Sequence, residues 1–178
     1  MGNSRRVPFV AIVGKKKIGK TSLIERLIPL LKKAGYRVGV LKYDVREFQI
    51  DYPGKDTYRS YLAGADSVLI SSADKLALIK GLSSKPPLKR LINKYFSDTD
   101  VVLIEGYKEQ DCPRIHILEP SEAVSCSVRP RVARMGDANV RGKLARYILV
   151  IKKEAPEEVS PQNVRVALNF IKNLLKNP

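Results

Sequence analysis

The stretch Gly14-Lys15-Lys16-Lys17-Ile18-Gly19-Lys20-Thr21-Ser22 gathers four lysines around two glycines. Like charges at that density repel one another, so the arrangement predicts a strongly anionic occupant. The spacing fits G-x-x-x-x-G-K-[ST] at every fixed position. In that pattern backbone N–H groups cradle phosphates, the lysine reaches the β- and γ-phosphates, and the hydroxyl binds Mg²⁺. Lys20 and Thr21 take those two roles here, and Gly14 and Gly19 let the backbone approach the anion closely. The expected occupant is a nucleoside triphosphate held by residues 14–22. Lys15, Lys16 and Lys17 exceed what the pattern requires. Lys15 stands where the loop of dimeric nucleotide switches carries a second lysine directed at a partner's phosphates, although an extra solvated charge is the simpler reading.

Two acids join Lys20 as candidate catalytic residues. Glu105 closes the apolar run "VVLIEG", and an acid at such a strand end holds Mg²⁺ or its water, or orients the attacking water. Without a metal that carboxylate would face the triphosphate unscreened. Asp44, at the end of the second predicted strand, is the other candidate. His116, flanked by Ile115 and Ile117, reads as a strand side chain.

These residues need elements to position them. "VPFVAIV", from Val7 to Val13, is a short apolar run that ends at the first glycine of the loop, which suits a strand buried on both faces of a parallel sheet. After the loop, Leu23, Ile24, Leu27, Ile28, Leu30 and Leu31 recur at helical spacing, with Lys32 and Lys33 in the last turn and Gly35 as the stop. Pro29 inside that helix costs about 3 kcal/mol unless the helix accommodates it. Further strands are expected at Tyr36 to Asp44, Ser67 to Ser72, Leu76 to Leu82, Asp100 to Gly106, "RIHIL" and "YILVI". A turn at residues 83–87 precedes a helix marked by Leu88, Leu91, Ile92 and Phe96. Ser160 caps a last helix that begins at Pro161 and carries Val164, Leu168, Ile171, Leu174 and Leu175 as its apolar stripe. The alternation predicts an α/β three-layer sandwich of P-loop NTPase type with a mostly parallel sheet.

The chain has 178 residues, enough for one core of ordinary size, so a single nucleotide-binding domain over 1–178 is expected, with 119–147 as an insertion or dimerisation segment. Thirty-three Lys and Arg against 18 Asp and Glu give a formal charge of +15, which favours an anionic partner and also suits a Lys-rich surface. Nucleic acid is disfavoured, because aromatics make up 7% and no base-stacking motif is present. Cys112 and Cys126 are far apart and suggest neither a disulfide framework nor a zinc site. No run is long enough to span a bilayer. A cytoplasmic protein is the expectation.

Three ordered motifs carry a resemblance: "GKTSLIERLIP", "IDYPGKDT" followed by "AGA", and "IEGYK". Together they are similar to the MobB family, molybdopterin-guanine dinucleotide biosynthesis protein B, between Val10 and about Leu118. The resemblance implies a GTP-binding protein with weak GTPase activity and Mg²⁺ as cofactor. It also implies a homodimer that assists the guanylyltransferase attaching GMP to molybdopterin. It carries over Asp51, the turn Pro53-Gly54-Lys55-Asp56 and the pair Glu105-Gly106. The turn presents two carboxylates and a lysine, suited to a metal and a phosphate, so the expected metal set is Thr21, Asp51, Asp56 and Glu105. The family's histidines after the second strand are absent, with Tyr43, Val45 and Arg46 in their place. Lys152, Lys153 and Glu154 loosely resemble the Lys-x-Asp of guanine-binding loops, with Glu154 as acceptor for the guanine N–H groups; guanine preference rests mainly on the resemblance. A basic segment, with Arg129, Arg131, Arg134, Arg141, Lys143 and Arg146, would serve as an arginine lid in the competing reading, a small-molecule kinase or ligase of the same fold.

Overall fold

The structure, a computed structural model, describes residues 6–43, 45, 47–107, 112–119, 148–152 and 159–176. Contacts divide the chain into two compact units, unit 1 comprising 1–44 and 89–178 and unit 2 comprising 45–88.

Unit 1 is built on a five-stranded sheet. Its strands are β1 (Phe9–Val13), β2 (Val38–Lys42), β5 (Val101–Glu105), β6 (Arg114–Leu118) and β7 (Ile148–Lys152). They lie in the order β2-β5-β1-β6-β7, and every pairing is parallel. β1 and β5 sit inside the sheet, which explains their unbroken apolar runs: both faces must be covered. On one face Val10, Ile12, Leu103, Ile115 and Ile117 form a core with Leu23, Leu27 and Leu31 of helix α1 (Lys20–Lys33). Val164, Ala167 and Ile171 of the last helix, α4 (Pro161–Lys176), complete it. On the other face Phe96, which follows α3 (Leu88–Tyr95), packs against Gly39 of β2 so closely that a Cβ there would enter the phenyl ring.

Local chemistry fixes the helix ends. The Ser160 hydroxyl accepts from Asn163 N–H at 3.3 Å, the expected cap, and Pro161 takes the first helical position. Pro29 is tolerated within α1 because it and Glu25, whose carbonyl it leaves without an intrahelical donor, are both exposed, so water can satisfy that oxygen. α1 then closes at Ala34 and Gly35, as the Gly35 stop signal predicts.

Unit 2 contains α2 (Asp56–Leu62) and the strands β3 (Ser67–Ser71) and β4 (Leu76–Lys80). The two runs expected as strands are strands, but they form a separate antiparallel pair and not part of the parallel sheet. The turn between them is held by Ser72, whose N–H donates to Lys75 O at 2.8 Å and whose hydroxyl donates to Asp74 at 2.7 Å. α2 carries no sequence signal of the usual kind: it has seven residues and buries none of them, so no apolar period marks it. The second strand is shorter than the expected run, and Asp44 lies outside the described residues, as do Glu154, the segment 120–147 and its arginines. Among the described residues no helix is long and apolar enough to cross a membrane.

Candidate nucleotide-binding site

The loop between β1 and α1 has the backbone that an anion cradle needs. Gly14 and Gly19 adopt φ of 149° and 99°, and Lys17 adopts φ of 61°, a left-handed conformation that only glycine takes without penalty. Gly14 also has no room for a side chain, because a Cβ there would meet the Ile117 carbonyl oxygen at 2.6 Å. The end of β6 therefore sets how the loop leaves β1. Between the exposed lysines and Gly19, Ile18 points the other way and is buried within the core cluster. That apolar anchor fixes the loop against the sheet.

α1 begins at Gly19 with no side-chain cap and no acid in its first turn. Its first N–H groups and the positive end of its dipole are therefore not compensated by the helix's own residues, which favours an anion at this end. Lys20 Nζ donates to the carbonyls of Gly14 at 3.2 Å and Lys15 at 2.6 Å, so its ammonium lies along the loop it is expected to serve. Ser22 is half-buried in the first turn, while Lys16 and Lys17 are exposed.

The register of the sheet brings in the acid. Glu105 pairs with Ile12 across β5 and β1, and residues so paired share a face, here the face covered by α1. The Thr21 hydroxyl accordingly lies 3.4 and 3.3 Å from the two Glu105 carboxylate oxygens. Behind it, Glu105 O accepts from Tyr43 N–H at 2.8 Å. Gly106 turns the chain at φ 91°, where a Cβ would collide with the Tyr43 carbonyl. The Tyr107 ring then meets that of Tyr43 edge-on, with centroids 5.6 Å apart. Only glycine follows Glu105 without pushing the strand end away.

A hydroxyl and one carboxylate at the mouth of such a loop suit Mg²⁺, which keeps several waters and takes few protein ligands. Among the described residues no three His, Cys, Asp or Glu side chains gather into a metal cluster. Of the expected metal set the structure brings Thr21 and Glu105 together. Asp51 and Asp56 belong to unit 2. There Asp51 Oδ1 accepts from Tyr52 N–H at 2.9 Å, and its Oδ2 is buried with no hydrogen-bond partner among the described residues. The Asp56 side chain is fully exposed and lies 4.0 Å from Arg59. His116 sits on β6 opposite Val13, a strand position as expected.

Sequence reasoning missed Glu119. It follows β6, and its Oε2 lies 3.8 Å from Lys15 Nζ. The available signal was the one that found Glu105, an acid closing a buried apolar strand. The start of α4 was also missed as a neighbour of the loop. Val159 packs near Gly19, and its carbonyl accepts from Arg26 of α1.

Comparison with known proteins bears on the fold and the family. The sequence model of molybdopterin guanine dinucleotide synthesis protein B matches residues 9–133, well over half of the chain. A molybdopterin-guanine dinucleotide biosynthesis adapter protein of Haemophilus influenzae is 33% identical over 113 residues, which span 63% of this chain and 64% of that relative. A probable adapter protein of the same name from Bacillus subtilis is 38% identical over 121 residues, 66% of this chain and 69% of the relative. Among solved structures, a crystal structure of molybdopterin-guanine biosynthesis protein B superposes with a TM-score of 0.66 at 27% identity, covering 95% of this chain and 99% of that one. Bacillus subtilis MobB superposes with a TM-score of 0.64 at 26% identity, covering 96% and 99%. The parallel sheet and its helices are thus those of a known lineage, and the chain belongs to the molybdopterin guanine dinucleotide synthesis protein B family.

Proposed function

We propose that this protein is a GTP-binding adapter in molybdopterin guanine dinucleotide biosynthesis, with weak Mg²⁺-dependent GTPase activity. In this reading it acts in the cytoplasm as a homodimer beside a guanylyltransferase. The observation that carries the reading is the Thr21 hydroxyl set against the Glu105 carboxylate at the start of an uncapped helix. The relatives named as adapters supply the pathway. Loop amides and Lys20 would bind the phosphates, and Thr21 and Glu105 would hold Mg²⁺, which supplies charge neutralisation at the β- and γ-oxygens. Glu105 orients water toward the γ-phosphate. None of the described residues at the loop is an arginine placed to stabilise the transferring group, a contribution of about 10³ to 10⁵ in rate where present, so turnover should be slow. The second copy is assigned to the apolar faces of unit 2.

Titration with GTP and ATP, with and without Mg²⁺, tests the reading. Lys20→Ala should abolish binding without unfolding the chain, since a loop charge contributes little to packing. Glu105→Gln should bind within about threefold of the parent yet hydrolyse about tenfold more slowly or worse, because the amide keeps the shape and loses the charge. Added guanylyltransferase should form more guanine dinucleotide in the presence of the parent chain, and not with Lys20→Ala. Rapid, acceptor-dependent phosphoryl transfer without a partner would instead establish a kinase.

A further inference from the structure

Every cationic or donor group of the phosphate loop that the structure describes in contact has an acceptor from the protein itself. Lys20 Nζ lies on the carbonyls of Gly14 and Lys15, the Thr21 hydroxyl lies on Glu105, and Lys15 Nζ lies 3.8 Å from Glu119. The first two contacts involve groups with assigned roles at the site. The third is unexplained, and it runs against the purpose of the loop. A carboxylate at the rim of a phosphate cradle repels a triphosphate and costs affinity.

The fold puts it there by backbone packing. The Ile117 carbonyl abuts Gly14, so the chain leaving β6 runs beside the first glycine of the loop, and Glu119 follows two residues later. The pair is at the surface, with the Lys15 and Glu119 side chains 57% and 44% exposed, which limits its strength. A contact of that strength is easily broken by a more highly charged anion, and the ammonium it releases is beside the cradle.

We propose that Glu119 is an internal competitor for the nucleotide: its carboxylate occupies Lys15 when the loop is empty, and phosphate binding takes Lys15 from it. This rests on the nucleotide-binding reading above. Lys15 is then a phosphate-contacting residue, and Glu119 sets the affinity through it. The class of ligand is any nucleoside triphosphate, because the pair addresses the phosphates and not the base. The consequence is moderate affinity and ready exchange, suited to a protein that uses a bound nucleotide to organise a partner.

Isothermal titration of Mg-GTP and Mg-ATP into the parent, Glu119→Gln, Lys15→Ala and the double variant tests this. Glu119→Gln should bind about two- to fivefold more tightly at low ionic strength, with the gain shrinking in high salt. Lys15→Ala should bind several-fold more weakly. In the Lys15→Ala background the Glu119→Gln change should have little further effect, since there is no ammonium left to compete for. A full gain from Glu119→Gln in that background would mean that the carboxylate acts by its field alone, and would overturn the proposal. So would unchanged affinity in Lys15→Ala, or weaker binding by Glu119→Gln, which would make Glu119 a support for Lys15. These outcomes concern a parent that binds nucleotide; a parent that binds neither GTP nor ATP would overturn the loop assignment and this inference with it.

Discussion

In unit 1 the side chains of Val10, Ile12, Leu27, Leu103 and Ile171 are sealed between sheet and helices. In unit 2 Phe48, Leu69 and Leu76 keep 74%, 58% and 66% of their surface exposed. Across residues 45–88 Leu88 alone is buried among those described. The hairpin is apolar on both faces: Leu69 pairs with Leu78 on one, and Val68 with Ile79 and Ile70 with Ala77 on the other. Of these, Val68 and Ile79 are half-buried. A two-stranded ribbon with one short helix is marginal in water on its own, and this one leaves apolar side chains uncovered. Unit 1 closes over its own core. Unit 2 is composed like a surface that something else must cover, and a second copy is the occupant proposed above.

The contrast can be broken most forcefully in the core. Leu103→Ala should lower the stability of the protein by about 2–5 kcal/mol, since it removes buried methyl groups from a central strand. Leu69→Ala, measured in chemical denaturation at concentrations low enough to keep the chain monomeric, should cost about 0.5 kcal/mol or less. Equal costs would show that unit 2 is already covered within the monomer. Next in size is association itself. Leu69→Lys together with Leu78→Lys places two charges on one face of the hairpin and should weaken self-association about 30-fold or more in light scattering or sedimentation. The Mg-GTP binding proposed for the loop of unit 1 should survive. An unaltered oligomeric state would remove the hairpin from the interface. An effect of opposite sign lies at the loop. Lys17→Gly should raise stability in chemical denaturation by up to about 1 kcal/mol, because it relieves a left-handed backbone at a side-chain-bearing residue. A loss would mean that the lysine side chain supplies more than the conformation costs.

The same contrast explains how much of the molecule could be read in advance. β1, α1, β5 and the loop between them follow from apolar runs and a fixed motif, and the helix cap at Ser160 follows from local hydrogen-bonding chemistry. These features are local, so their residues announce them. The insertion of β5 between β2 and β1 has no local signal, and it is this register that sets Glu105 against Thr21. The hairpin was legible as two strands but not as a separate sheet. A short apolar run looks the same whether it is buried in a parallel sheet or left open for another surface. Glu119 escaped because its importance comes from the Ile117 carbonyl resting on Gly14, a contact between segments a hundred residues apart in order of magnitude.

Ile18 carries a consequence for how the cradle ages and melts. Its side chain is 1% exposed, so releasing the loop means drawing an isoleucine out of the core, which costs about 1.5–3 kcal/mol before any neighbouring rearrangement. Opening of the loop is therefore expected to be rarer than that of an ordinary surface turn, yet more frequent than opening of the surrounding sheet, which costs more than this one side chain. In the nucleotide-binding reading proposed above, ligand exchange would then not require the loop to unfold.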